Sequence, residues 1–263
     1  MEKHLEVALE VAREAGKIQM KNLGKVIKIG YKGDGKTNVV TEVDKKCEAH
    51  IVKQLKKAFP DYAFLAEEGT EIDSKTPYKW VIDPLDATVN YSHAHPVFAV
   101  SIGLEYKGQV IAGACYGPML DEMYWAEKGK GAKLNGKKIS VSGTKELETS
   151  LLCTGFAYDI QTSQCNNLDN FNRLMMEAQA VRRDGSAVLD LCYVACGRYD
   201  GFWEIILQPW DVAAATLIVQ EAGGKVTRFD GSKYSIYKTQ TLASNGKIHK
   251  QIMRVLKDVA DGH

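Results

Sequence analysis

The sequence predicts an α/β protein, and three observations carry that prediction. Segments with apolar residues at helical spacing alternate with short β-branched runs along all 263 residues. The stretch 98–141 reads as a meander of short strands separated by glycine turns. Hydrophobic residues make up 45% of the chain, enough to bury a large core as one domain or as two closely packed halves.

Leu5, Ala8, Leu9, Ala12, Ala15, Ile18 and Leu23 recur at helical spacing before Gly24, which predicts a helix over 2–23. Residues 25–29 alternate like a strand, and 30–37 form a glycine-rich, basic loop. A helix from Glu42 to Phe59 carries Val43, Cys47, Ile51 and Leu55 on one face, with Asp44 in its first turn, where an acid suits the dipole. Ala63–Ala66 and Trp80–Asp83 are apolar strands that each deliver acids at the C-terminal end: Glu67 and Glu68 from one, Asp83 from the other. Pro84 has no N–H for a ladder and is predicted to stop the second strand. Strands over 99–104, 110–115, 123–126, 132–134 and 139–141 make up the meander. The Ser150–Leu151–Leu152 junction is the predicted boundary between halves 1–149 and 150–263. Past it come a strand from Leu151, a helix over 168–180, and a small-residue helix over 187–196 that Ser186 can cap after Gly185. A strand over 199–206 carries Glu204, and a helix from Trp210 to Glu221 has Asp211 near its start. Strands over 225–229 and 241–244 and a helix over 247–259 complete the alternation.

Composition excludes little but points one way. With 34 basic against 33 acidic residues, the net charge of +1 gives no reason to expect nucleic acid or a membrane surface as partner. No apolar run approaches the roughly 18 residues of a membrane helix, and charged Glu2, Lys3 and Glu6 are unlike a signal peptide, so a cytosolic protein is expected. Six scattered cysteines without a Cys-x-x-Cys pair read as thiols in a reducing compartment.

The chemistry concentrates at Asp83-Pro84-Leu85-Asp86-Ala87-Thr88. Two carboxylates stand three residues apart beside a predicted helix start, whose free N–H groups attract an anion. Acids and anion are compatible when a divalent cation bridges them, which predicts a site for a hard metal ion plus phosphate. Glu204, an acid inside an apolar strand, needs a partner or a ligand. Residues 30–37 also match G-x-x-x-x-G-K-[ST]. That motif signals nucleotide only where it leads into a helix, and the β-branched run from Asn38 to Thr41 favours extended chain instead.

Taken together, Glu67-Glu68-Gly69, Asp83 to Thr88, and Trp210-Asp211-Val212-Ala213-Ala214 with Glu221-Ala222-Gly223-Gly224 resemble the inositol monophosphatase family of magnesium-dependent, lithium-sensitive phosphomonoesterases. The resemblance covers essentially the whole chain. It implies a layered α/β/α/β/α fold of the inositol monophosphatase and fructose-1,6-bisphosphatase type, usually a homodimer. The first half would bind metal and the second would build the substrate pocket.

Residue by residue, the resemblance implies that Glu67, Asp83, Asp86, Asp211 and the carbonyl of Leu85 bind two or three Mg2+ ions. Thr88, with Glu67 and with Asp44 behind it, would orient and deprotonate a metal-activated water that attacks phosphorus directly. Phosphate would rest on the N–H groups of Ala87 and Thr88, beside Asp86. Glu204 would accept hydrogen bonds from substrate hydroxyls, Gly185, Ser186 and Ala187 would line the same pocket, and Lys36 falls in the family's mobile loop. The expected substrate is inositol monophosphate; fructose 1,6-bisphosphate, histidinol phosphate and 3'-phosphoadenosine 5'-phosphate remain open, as do a catalytically weak regulatory homologue and a nucleotide-binding protein. Two positions depart from the pattern: Ala87 stands where the family has glycine, and Asn38 where an acid is common. Alanine keeps the N–H, so an active enzyme is expected, but a left-handed backbone at Ala87 would cost about 1 kcal/mol.

Overall fold

A computed structural model describes residues 2–25, 29–32 and 37–256. In chain order its elements are α1 (Lys3–Asn22), β1 (Ile29–Tyr31), β2 (Val39–Thr41), α2 (Glu42–Ala58), β3 (Ala63–Ala66), β4 (Glu71–Ile72), β5 (Tyr78–Asp86), α3 (Thr88–Ser92), β6 (Ala99–Tyr106), β7 (Gln109–Gly117) and β8 (Glu122–Glu127). They continue with β9 (Ala132–Leu134), β10 (Lys137–Lys138), β11 (Leu151–Thr154), α4 (Leu168–Glu177), β12 (Ala180–Arg182), α5 (Ala187–Ala195), β13 (Gly201–Ile205), α6 (Pro209–Glu221), β14 (Lys225–Thr227), β15 (Gln240–Ser244) and α7 (His249–Val255).

Two larger sheets organise the molecule: an eight-stranded one in the order β10-β9-β8-β7-β6-β5-β3-β4 and a five-stranded one in the order β12-β11-β13-β15-β14. The predicted meander forms the antiparallel run from β6 to β10, while β3 and β5 are parallel neighbours. Helices α1 and α2 cover the outer face of the large sheet, where Leu5, Ala8, Ala12, Val43, Ile51 and Leu55 meet Trp80, Ile82 and Leu104. Helices α5 and α6 fill the space between the sheets, and α4 and α7 cover the far face of the small sheet against Trp203 and Leu242. This is the expected α/β/α/β/α layering. No helix among the described residues is long and apolar enough to cross a membrane.

Helix α6 packs its backbone directly onto two glycines paired across β6 and β7, Gly103 and Gly113. A Cβ at Gly113 would come within 2.8 Å of the Ala214 backbone, and one at Gly103 within 3.0 Å of the Ala213 Cβ. The alanine run of α6 and the paired glycines therefore make one contact surface.

Three expectations need correction. Strand β5 does not stop at Asp83 but runs to Asp86, with Pro84 inside a bulge where no ladder N–H is required. Residues 139–141 form no strand: the last strand of the meander is Lys137–Lys138, and Val141 N donates to the Ala222 carbonyl at 3.2 Å. Helix 168–180 ends at Glu177, and 180–182 pairs instead with β11 as β12. The predicted end of the last helix beyond 256, and part of strand 25–29, lie outside the described residues.

His249 opens α7 and is 1% exposed. The Thr227 hydroxyl donates to the Arg228 carbonyl at 2.6 Å, so His249 Nε2–H donates to Thr227 Oγ1 at 2.8 Å and Nδ1 accepts from Ser244 Oγ at 2.8 Å. Burial, with Lys225 nearby, pulls the imidazole pKa down to about 4, so the folded state holds it neutral. The resulting stability is complete above the ordinary histidine pKa of about 6.5 and is lost as pH falls toward 4. Between pH 7 and pH 5 this one group should cost about 2 kcal/mol of unfolding free energy. Urea unfolding at the two pH values should show His249→Gln losing less than the parent over that interval; equal losses would exclude the assignment.

Candidate active site

Side chains alternate along a strand, so Asp83 and Asp86 in a regular β5 would face opposite sides. The register against β6 prevents this: Asp83 pairs with Ser101 and Asp86 with Ala99, three steps on β5 against two on β6. The extra residue turns both carboxylates toward the inter-sheet side and sends Leu85 into the α1–α2 layer. Gln19, buried in α1, holds the bulge by donating to the Pro84 carbonyl at 2.9 Å, and Tyr91 OH donates to the Gln19 carbonyl at 2.7 Å.

Other elements bring their acids to the same place. Glu67 follows β3, and the turn after it is held by Glu48 of α2, which accepts from Glu68 N at 2.7 Å, Thr70 N at 3.0 Å and Thr70 Oγ1 at 2.6 Å. Asp211 stands in the first turn of α6 and accepts from Gln208 N at 2.7 Å, so Gln208, not Asp211, is the N-cap. Ser186 caps α5 as predicted, accepting from Leu189 N at 3.1 Å, and its hydroxyl donates to Asp86, which also accepts from Val188 N at 3.2 Å. Asp44 is buried and closes a capping box with Thr41, while Thr88 Oγ1 donates to it at 2.7 Å and lies 3.1 Å from the Leu85 carbonyl.

These residues enclose a cavity of about 370 Å³ lined by Glu67, Asp83, Leu85, Asp86, Ala87, Thr88, Gly185, Ser186, Ala187, Glu204 and Asp211. Asp44 stands behind Thr88 rather than on the wall. Lys36 lies outside the described residues. The predicted helix start is short: α3 has five residues, so the backbone N–H groups of Ala87 and Thr88, more than a helix dipole, would receive an anion. Asn38 leads into β2 and α2 begins only at Glu42, so the strand–loop–helix context of a nucleotide loop is not met.

The cavity is electrostatically loaded. Burial and the neighbouring carboxylates of Glu67, Asp86 and Asp211 push Asp83 well above the usual range, and burial with Glu67 does the same to Asp211. Burial raises Asp86 to about 7 against the hydrogen bonds from Ser186 and Val188. Among the described residues no three His, Cys, Asp or Glu side chains are posed as a closed ligand set, since the acids turn to local donors. Lys32 Nζ, for instance, reaches Glu67 at 3.0 Å and Glu68 at 2.7 Å; burial lowers its pKa, but the two carboxylates outweigh this and hold it at about 12. The donor chemistry nonetheless fits a hard divalent cation, because all the groups are oxygens and the cavity carries unbalanced negative charge.

Sequence reasoning missed several residues of this site. Lys32 was hidden in a glycine-rich loop and Arg183 and Tyr158 on irregular segments, while Glu48, which supports the site from outside the cavity, lies among the buried residues of α2. Gly155 gave no signal, yet a Cβ there would fall on the Glu204 carboxylate, which packs against its backbone. Asp190 did carry one: it lies four residues after Ser186 and so on the same helix face.

The chain matches the family model described as the inositol monophosphatase family over residues 1–260. It is 44% identical over 253 residues to an inositol-1-monophosphatase of Synechocystis, covering 96% of this chain and 88% of that protein. It is 42% identical over 264 residues to a protein of Pseudomonas aeruginosa named Nus factor SuhB, covering 98% and 97%. The solved inositol monophosphatase of Anabaena superposes with a TM-score of 0.87 at 41% identity, covering 98% of this chain and 96% of the other.

Ala87 has φ 70° and ψ 49°, the left-handed region that a Cβ disfavours. Ala87→Gly should therefore raise the unfolding free energy by about 1 kcal/mol, read from denaturant midpoints at constant m-value. Glu48→Ala should cost about 2–3 kcal/mol by leaving Glu68 N and Thr70 N without an acceptor; a loss under about 0.5 kcal/mol would show that the turn does not depend on it.

Proposed function

The chain belongs to the inositol monophosphatase family, and on that premise we propose that it hydrolyses the phosphate monoester of a small polyol, inositol monophosphate foremost, with magnesium as cofactor. The observation that carries this reading is the gathering of Glu67, Asp83, Asp86 and Asp211 in one cavity with Thr88, Ser186 and Glu204. The family is metal-dependent, and an all-oxygen donor set with the Leu85 carbonyl suits two or three Mg2+ ions. Bound there, the cations would polarise the phosphoryl group and favour loss of a proton from water.

The chain's own groups take the remaining roles. Thr88 Oγ1 commits its proton to Asp44 at 2.7 Å, which leaves its lone pairs to accept from the attacking water and, with Glu67, to aim it. Asp44, whose carboxyl is raised by burial, is suited to take up the proton passed along this pair. The N–H groups of Ala87 and Thr88 receive phosphate. Glu204, raised by burial to about 8 although Arg183 opposes the shift, pairs with substrate hydroxyls from the far wall, between Gly155 and the Gly185–Ala187 loop. Lithium inhibition and a homodimer belong to this proposal through the family alone. A regulatory reading draws on Ala87 and on the name of the Pseudomonas relative. It requires partner binding that survives loss of Asp83 and no turnover of any phosphate ester.

The deciding measurement is phosphate release from a panel of small phosphate esters, with and without magnesium and again with lithium. Magnesium-dependent release should be fastest with inositol monophosphate, and Asp83→Asn should lower kcat/KM by more than about 100-fold. Failure of every ester in the panel would sink the phosphatase reading.

A further inference from the structure

The roles above leave one buried acid of the cavity unused. Asp190 lies in α5, one turn past Ser186, and lines the same cavity as Glu204 and Arg183 while remaining 1% exposed. Its Oδ1 is buried and has no hydrogen-bond partner. The neighbouring acids are turned elsewhere. Asp184 accepts from the Tyr199 hydroxyl, Asp86 from Ser186 and Val188 N, and the Glu204 carboxylate rests on Gly155. A buried polar atom left unpaired costs about 1–3 kcal/mol, so a fold that keeps one on a cavity wall implies a partner that arrives with the ligand.

We propose that Asp190 is a specificity-determining residue of this cavity, which hydrogen-bonds a hydroxyl of the substrate's alcohol half beside the one met by Glu204. The inference rests on the phosphatase reading and narrows it to alcohols carrying at least two free hydroxyls. Burial, together with the charges of Asp184, Glu204 and Asp86, raises the Asp190 carboxyl well above its usual range, with Arg183 in partial opposition. A neutral carboxyl both donates and accepts, which matches a hydroxyl better than it matches a second anion. A pocket built around such a group rejects alcohols that cannot satisfy it, because its polar atoms then stay unpaired.

Steady-state kinetics on Asp190→Asn and Asp190→Leu test this with two esters, myo-inositol monophosphate and phenyl phosphate, whose ring has no hydroxyl. Asp190→Leu should raise KM for the inositol ester about tenfold while kcat stays within about twofold, and KM for phenyl phosphate should move less than about twofold. Asp190→Asn keeps a donor and an acceptor, and should recover most of the inositol KM; if the leucine variant does not fold, Asp190→Ala takes its place with the same expectation. Equal KM changes on both esters, or a fall in kcat alone, would assign Asp190 a purely structural role and overturn the proposal, as would no change at all. A parent inert toward both esters would fail differently, removing the phosphatase reading and this inference with it.

Discussion

A carboxylate buried next to other carboxylates loses hydration and gains repulsion, and both terms oppose folding. Asp83, Asp86 and Asp211 meet this in one cavity with Glu67, and their raised pKa values record it. Much of the surrounding structure is legible as support for that arrangement. Each acid has one oxygen held by a local donor: Leu85 N for Asp83, Ser186 and Val188 N for Asp86, Gln208 N for Asp211. The oxygens that remain face the cavity, where the described residues supply two cations, Lys32 at its edge and Arg183 beside Glu204. The free energy stored there is what a bound divalent ion and a phosphate would release, a form of preorganisation that favours binding at the expense of stability.

The acids come from different layers. Glu67 follows β3 and Asp83 and Asp86 lie in β5 of the large sheet, Asp211 stands in the first turn of a helix held between the sheets, and Glu204 belongs to the small sheet. Reagent positions are therefore set by packing between layers, and the long-range contacts that close the core also close the site. Glu48 and Gln19 show how this is done at close range. Neither lines the cavity, yet one fixes the turn carrying Glu67 and the other fixes the bulge between Asp83 and Asp86.

The layers and most of the acids were legible in the sequence because both depend on local pattern. Helical spacing and β-branched runs predict elements, and acids placed where strands end predict a cleft. The bulge was not legible, since it is a matter of register between strands: Pro84 looked like a stop and instead sits inside the bulge through which β5 continues. Gly155 and Gly113 have no side chain to signal with, and their importance lies in what would collide with a Cβ. Lys137–Lys138 took the pairing expected of 139–141, because strand boundaries near a sheet edge depend on which partner is in reach.

The pairing of Gly103 with Gly113 makes the separation of α6 from the sheet a matter of two hydrogen atoms. Asp211 precedes the alanines that rest on this pair by two and three residues. The depth at which its carboxylate sits relative to Asp83 is thus gauged inside the apolar core, where no reagent reaches. Selection on catalysis would then act on these core glycines as a length standard, and a methyl group added there would mistune the site without touching any residue that lines it.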